Sequence, residues 1–382
     1  MYADRLYLNN GSGEFRPAEN AIPVITASTA CVKASDYDGD GDNDLFVGGR
    51  IHPGDYPLAP RSYLLQNNNG QFLDITPSEL QNVGMVTDAI WTDFNGDGQT
   101  DLIVVGEWMP IRFFENRQGE LRAIEPPLED NLLARFPQTG GWWFHINGAD
   151  LDGDGDTDYL VGNIGTNSKL KASPDTPVEI NAKDFDQNGA VDPLISCFIQ
   201  GKKHLVHERD LLIKQIPGMK RRFPDYHSYA TADFAHTLSE EDLAGAQQAA
   251  IYCQESILLE NLGKAGFRIH RLPAEAQFSP LMTSLFLDFN GDGRLDLLTA
   301  GNLHAAETMQ LGWYDAGYGN LFINQGDMNF EPLNPLSAGF VAEGDVRRMV
   351  SLRGPQGVRW VVLGKQGDAM AVFRLKNAAS PM

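Results

Sequence analysis

Residues 36–44 read DYDGDGDND, five aspartates in nine residues. Carboxylates this close repel one another, so something must compensate them. The arrangement recurs as DFNGDGQTD (93–101), DLDGDGDTD (150–158), DFDQNGAVD (184–192) and DFNGDGRLD (288–296). All five fit D-x-[D/N]-x-[D/N]-G-x-x-D. Calcium takes about six to eight hard oxygens at about 2.3–2.6 Å. Short side chains at positions 1, 3 and 5 converge from a curled backbone, and glycine at position 6 permits the curl. Position 7 is expected to lend its carbonyl, which leaves its side chain free to vary. Position 9 is always Asp.

The expected cation ligands are therefore Asp36, Asp38, Asp40, Asp42 and Asp44 in the first loop, and Asp93, Asn95, Asp97, Gln99 and Asp101 in the second. The third offers Asp150, Asp152, Asp154, Asp156 and Asp158, and the fourth Asp184, Asp186, Asn188, Ala190 and Asp192. The fifth offers Asp288, Asn290, Asp292, Arg294 and Asp296. About five Ca2+ sites follow. An EF-hand would need Glu at position 12 and flanking helices. Here position 12 is Val47, Val104, Val161, Ile195 or Thr299, inside strand-like runs. Magnesium tolerates such crowded cages poorly, and His or Cys ligands for transition metals are absent from the loops. An ordinary Asp/Gly turn without metal is the alternative for each loop. The fourth departs most, with Gln187 where the others have glycine.

The loops also set a period. They start at 36, 93, 150, 184 and 288, and repeats of fifty-odd residues mark stacked supersecondary units. An apolar run follows each loop: DLFVGG, DLIVVGEW, DYLVGN, DPLISCF, DLLTAGN. A hairpin pattern comes later: LYLNNGSGEF (6–15), YLLQNNNGQF (63–72), FFENRQGEL (113–121), LLENLGKAGF (258–267) and LFINQGDMNF (321–330). Asn and Gly there are expected to supply the positive φ of a tight turn. One unit reads strand, acidic loop, strand, long loop, strand, hairpin, strand. That is a four-stranded propeller blade. The expected fold is all-β, a single β-propeller over 1–382 with seven blades, or six, closed by pairing of its terminal segments. A small helical insertion is expected within 200–255, its helix near 238–250 and Ser239 as N-cap.

Composition narrows the partners. The formal charge of −21 disfavours nucleic acid and anionic lipid. The five loops hold 19 of the 51 acidic residues, and five divalent ions would roughly halve the net charge. The one dense basic stretch, KQIPGMKRRF (214–223), reads as a solvated loop or a contact with the protein's own acidic surface. No run of 18 apolar residues is present, and MYADRLYLNNGSGEF is unlike a signal peptide. The chain is expected to be a mature protein or a piece of a longer one. Cys31, Cys197 and Cys253 suggest no disulfide framework.

With DYDGDGDNDLFVGG, DFNGDGQTDLIVVG, DLDGDGDTDYLVG, DFNGDGRLDLLTAG and the Asn-Gly hairpins, the sequence resembles the FG-GAP/VCBS repeat family. Similar repeats occur in integrin α-subunit propellers and in bacterial surface proteins, including ones related to cartilage acidic protein. The resemblance implies a calcium-stabilised propeller, extracellular, cell-surface or periplasmic, used for adhesion or ligand binding without catalysis.

The loops after strand two should share one face. They and the GGWWFH segment (140–145) offer Arg50, His52, Tyr56, Trp108, Trp142, His145, Asn163, Lys169, His304, Trp313, Tyr314 and Asp315. Aromatics beside polar groups suit a glycan or protein ligand. Packing between loops and blade seams is the alternative. No HExxH, GxSxG or P-loop is present. A propeller-type polysaccharide lyase, or another carbohydrate-active enzyme with His304 and Glu307 or His145 as acid and base, is the enzymatic alternative. A purely structural spacer is the third.

Overall fold

Each acidic loop joins two antiparallel strands, and its ninth residue is the first residue of the second strand. In the computed structural model, which describes residues 3–306 and 312–375, the pairs are Ser28–Ser35 with Asp44–Ile51 and Met85–Thr92 with Asp101–Met109. The others are His145–Ala149 with Asp158–Gly162, Val178–Lys183 with Asp192–Ile199, and Thr283–Leu287 with Asp296–Ala300. The chain is mostly β, built of several four-stranded antiparallel sheets. No helix among the described residues is long and apolar enough to cross a membrane.

The chain divides into two compact units. The first comprises 1–125 and 179–250. It opens with a hairpin, Tyr7–Asn9 against Phe15–Pro17, that pairs only with itself among the described residues. The first sheet runs in the order Ser28–Ser35, Asp44–Ile51, Tyr63–Asn68, Gln71–Asp74. The second repeats that up-and-down order with Met85–Thr92, Asp101–Met109, Arg112–Asn116 and Leu121–Ile124. Phe46, Leu64, Val86, Leu102, Val104 and Phe114 form a core shared by these two sheets. Ile103 and Val105, on the other face of the same strand, are also fully buried. A strand buried on both faces reads as a continuous apolar run, as LIVV does here.

The second unit comprises 126–178 and 251–382. Its third sheet joins His145–Ala149 and Asp158–Gly162 to Ile257–Asn261 and Phe267–Arg271, with Leu128–Glu129 parallel at the outer edge. The fourth sheet is Thr283–Leu287, Asp296–Ala300, Asn320–Asn324 and Phe330–Leu333. The fifth has three strands, Val346–Arg353, Arg359–Lys365 and Ala371–Arg374. Alternation along one strand ties the three together. Leu297 packs toward the third sheet with Leu160, Leu258 and Phe322, while Leu298 packs toward the fifth with Val346, Val361 and Leu363.

Three expectations change. The sheet carrying loop 184–192 is not a unit in series, because the third sheet's second strand ends at Gly162 and its third begins at Ile257. A complete sheet, ordered Lys202–Leu205, Asp192–Ile199, Val178–Lys183, Gln247–Ile251, lies between them in the chain. The insertion is therefore larger than 200–255, and it explains both the short step to 184 and the long one to 288. The helix expected near 238–250 is a single turn, Glu240–Leu243. Ser239 caps it reciprocally with Asp242, and left-handed Gly245 (φ 77°) ends it before the strand at Gln247. The helices of this segment bury Leu212, Ile216, Met219, Phe223 and Phe234 on Leu194. Finally, no strand pairs the N-terminal hairpin with Ala371–Arg374 among the described residues.

Two second strands have glycine at or just past their ends for a steric reason. A Cβ on Gly162 would sit 2.3 Å from the Leu281 carbonyl oxygen, and one on Gly301 would sit 2.0 Å from that of Pro280. Gly301→Ala should lower the urea-unfolding free energy by about 3 kcal/mol. Gly218→Ala, facing open space, should change it by less than about 0.5 kcal/mol.

Candidate metal centres and the loops opposite them

A curled acidic loop must first satisfy its own amides, and the side chains at positions 1, 3 and 5 do so. Asp36 accepts from the Gly39 amide at 2.9 Å and the Gly41 amide at 3.1 Å. Asp93, Asp150 and Asp288 make the equivalent bonds to Gly96 and Gly98, Gly153 and Gly155, and Gly291 and Gly293. Positions 3 and 5 accept from the amide two residues on, as Asn95 Oδ1 does from Asp97 at 2.9 Å. These glycines hold φ near 71° to 99°. Gln187 holds 61° in the fourth loop, where an L side chain is strained.

The folding of the loop gathers its acids. One oxygen from each of Asp36, Asp38 and Asp40 lies within 4.8 Å of the others, as for Asp150, Asp152 and Asp158, and for Asp184, Asp186 and Asp192. Asp42 Oδ1, Asp44 Oδ2 and Asp156 Oδ1 are buried and accept no hydrogen bond among the described residues. Loops 93–101 and 288–296 offer Asn at position 3, an uncharged oxygen donor. In the last loop Arg294 Nη2 lies 2.6 Å from Asp292 Oδ2. Its own amide bond to Asp292, with the Asn290 side chain, keeps that carboxyl below its usual range.

At position 7 three of the five side chains make bonds of their own. Asp42 Oδ2 accepts from the Asn69 amide at 3.4 Å, Gln99 Oε1 from the Gln118 amide at 2.9 Å, and Arg294 Nε donates to the Asn324 carbonyl at 2.9 Å. Each reaches the hairpin of its own sheet.

Position 9 is the most buried. Asp44, Asp101, Asp158, Asp192 and Asp296 are at most 3 % exposed. In the four later loops Oδ2 accepts from the position-2 amide, as in Leu151 to Asp158 at 2.9 Å. Oδ1 accepts from a hairpin amide: Asn67 to Asp44 and Asn116 to Asp101 at 2.7 Å, Asn261 to Asp158 and Asn324 to Asp296 at 2.9 Å. These asparagines do not take the positive φ expected of them. The turn residues beyond do, Asn69 and Gly70 at 53° and 88° or Gln118 and Gly119 at 58° and 87°. Asn116 and Asn324 instead donate from Nδ2 to the neighbouring sheet's loop, at Tyr37 O (2.6 Å) and Leu151 O (2.8 Å). The recurring Asn in the hairpin pattern was the available sequence signal for this clamp.

Burial pushes the ninth carboxyls up, Asp44 to about 6 and Asp101 and Asp158 to about 7, with neighbouring acids adding and amide bonds opposing. Burial and Asp154 likewise lift Asp156 to about 6. Three of the loops thus gather oxygen-only clusters that could hold a metal ion.

The twelve residues expected on the opposite face divide by burial. In the first unit Arg50 Nη2 lies 2.5 Å from Glu107 Oε1, and buried Trp108 donates its indole N–H to the Tyr56 hydroxyl. His52 is exposed. In the second unit Trp142, His145, Asn163 and Tyr314 are buried. Asn163 Nδ2 donates to Cys253 O at 3.0 Å, His145 Nε2 meets Ser284 Oγ at 2.9 Å, and the Tyr314 hydroxyl meets Ser168 Oγ at 2.9 Å. These contacts tie loops and strands of the unit together. Lys169, His304, Trp313 and Asp315 are exposed, with the His304 and Trp313 rings stacked 6.1 Å apart. Glu307 lies outside the described residues.

Fold and loops define a mostly β repeat protein in which acid-rich turns join the first and second strands of five sheets. The family model described as FG-GAP-like repeat matches residues 2–47 and 93–161, which include three of the five acidic loops. No curated protein matches the chain. Among solved structures, an Agrocybe aegerita lectin that recognises non-reducing terminal N-acetylglucosamine is 14 % identical, with 86 % of this chain and 73 % of that one covered at a TM-score of 0.31. The V. cholerae biofilm matrix protein Bap1 is 10 % identical, with coverages of 93 % and 70 % and a TM-score of 0.33.

Two outcomes follow from this geometry. The raised carboxyls make the folded, metal-free chain bind more protons than the unfolded one between about pH 4 and pH 7, so stability falls as pH rises through that window. In chelator, the urea midpoint should be higher at pH 5 than at pH 7.5. Gln187→Gly relieves a left-handed side chain and should raise stability by up to about 1 kcal/mol in the same assay.

Proposed function

We propose that the chain is a calcium-stabilised β-propeller of FG-GAP/VCBS type, its sheets the blades, acting outside the cytosol as a non-catalytic binding or adhesion module for a glycan or protein ligand. The observation that carries this is the convergence of carboxylate oxygens within 4.8 Å in three loops, two of which also hold buried oxygens with no partner among the described residues. Oxygens sharing one calcium ion lie no more than about 5 Å apart. The donors are all hard oxygens, and sheets rather than helices flank them. Asp36, Asp38, Asp40 and Asp44 would hold one ion, and Asp150, Asp152, Asp154 and Asp158 another. The ion supplies the positive charge that the loops lack and ties strand one to strand two. Affinities typical of extracellular modules, about 10⁻⁴–10⁻³ M, fill such sites outside the cytosol and leave them empty within it.

One cavity favours the enzymatic reading. It has a volume of about 240 Å³ and brings Lys171 and Tyr252 together with Arg271. Its cation is already committed: Arg271 holds Asp130 at 2.6 and 3.0 Å and Glu255 at 2.9 Å. Burial pushes Asp130 up, but Arg271 and the Leu132 and Leu133 amides outweigh it and hold the carboxyl at about 2. Lys171 donates to the Thr166 carbonyl at 2.5 Å. The binding-module reading is therefore preferred.

Calcium at 5 mM should raise the melting temperature, by linkage worth about 1–2 kcal/mol per site at a Kd of about 10⁻³–10⁻⁴ M; magnesium should do far less. Asp38→Asn with Asp40→Asn keeps the Asx acceptors and removes two charges. That variant should lose part of the calcium-induced gain yet melt no lower than the parent in chelator. A loss of the same size in both conditions would mean that the loop acts without metal.

A further inference from the structure

A cleft of about 440 Å³ in the second unit lies among the turn at Glu275 and Phe278, the segment at Tyr318 and Asn320, and the turn at Asn334 and Pro335. This is within the size range of small-ligand sites, about 300–1,000 Å³. Two large aromatic rings stand in it half in solvent, Phe278 at 49 % exposure and Tyr318 at 55 %. Their backbones are not loose. The Asn302 side chain holds Gly317 by both amide groups at 2.9 Å, and the Tyr318 carbonyl accepts from Ala342 at 2.7 Å. A Cβ on Gly317 would meet Ser279 Oγ at 2.2 Å, so this segment is pressed against its neighbour. On the other wall Asn167 donates to the Phe278 carbonyl at 3.1 Å, and the preceding residue, Gln277, is buried and bonded to Ser256 through both ends of its amide. Exposed aromatics on clamped backbone lose little freedom on binding, which is how a preorganised site gains affinity.

We infer that this cleft binds a neutral carbohydrate, an inference that rests on the binding-module reading and assigns it a ligand class. A pyranose ring has an apolar C–H face that suits an aromatic ring and a rim of hydroxyls that both donate and accept. The cleft supplies such partners: the Glu275 carboxylate, the Tyr318 hydroxyl and the Asn334 amide nitrogen have no protein partner among the described residues. A chain of net charge −21 repels acidic polymers, which selects uncharged sugars.

The test is isothermal titration of the calcium-loaded chain with cellotetraose, mannotetraose, maltotetraose and chitotetraose, with tetragalacturonate as the anionic control. At least one neutral tetrasaccharide should bind at about 1 mM or tighter, and the anionic one should not. Phe278→Ala and Tyr318→Ala should each weaken that binding about tenfold while leaving the melting temperature unchanged. Absence of binding by all four neutral sugars, or preference for tetragalacturonate, overturns the proposal. Binding that is equal in both variants places the site elsewhere, which overturns the cleft and leaves the module reading standing. A melting temperature indifferent to calcium overturns the metal part of that reading, and the cleft is then decided by the two variants alone.

Discussion

The carboxylate at position 9 of each acidic loop is the point on which each repeat depends. It begins the second strand, is almost wholly removed from water, and accepts from two sources: in four of the five loops the second residue of its own loop, and in four of the five the asparagine of the hairpin after strand three. Loop, strand and hairpin are thereby fixed to one group. A buried carboxylate is costly unless fully partnered, and the amides supply part of that compensation. The Asn side chain extends the connection to the next sheet at Tyr37 or Leu151. The inserted sheet solves the problem differently. Its third strand is short, no hairpin amide reaches Asp192 among the described residues, and the Phe185 amide bonds to it at 3.0 Å.

The five loops differ in how much charge they leave uncompensated. Loops 36–44 and 150–158 carry five carboxylates each and keep buried oxygens without a partner. Loop 288–296 supplies its own cation through Arg294, which bridges Asp292 and the hairpin carbonyl of Asn324. The last sheet dispenses with the acidic loop, and a 3₁₀ turn at Pro355–Gly357 connects its first two strands. A strand connection in this fold therefore needs compensated charge or no charge, and the sequence at each corner determines which.

Most of this was legible where chemistry and spacing coincide. The nine-residue loops marked the joints between first and second strands, and DLIVVG or DLLTAG marked strands buried on both faces. What was hidden depended on pairing across long separations. Nothing local says that Leu258 pairs with Leu160 rather than with the strand at 192–199, so period counting placed the inserted sheet in series. The aromatics of the strand-two loops looked like a binding face, yet Trp108, Trp142 and Tyr314 turn inward to hydrogen-bonding or packing partners that composition cannot reveal. Phe278 and Tyr318 carried no motif at all. They stand out only because clamped backbone holds them in water.

That one sheet can tolerate another between its second and third strands follows from where the chain leaves it. Val161 and Ile257 are direct cross-strand partners, so the two ends of the insertion already lie side by side. The entropy of closing a loop grows only logarithmically with its length, about 0.6 kcal/mol per doubling. The inserted residues do not have to be stabilised by their host, because they carry their own antiparallel pairs and a core of Leu194, Leu212, Ile216, Phe223 and Phe234. The acidic turn at Asp150–Asp158 is at the other end of the same strand pair, where Ala149 faces Asp158. The host's clamp between Asp158 and Asn261 is thus made far from the point of insertion. A long interruption and an intact joint coexist because they occupy opposite ends of the same two strands.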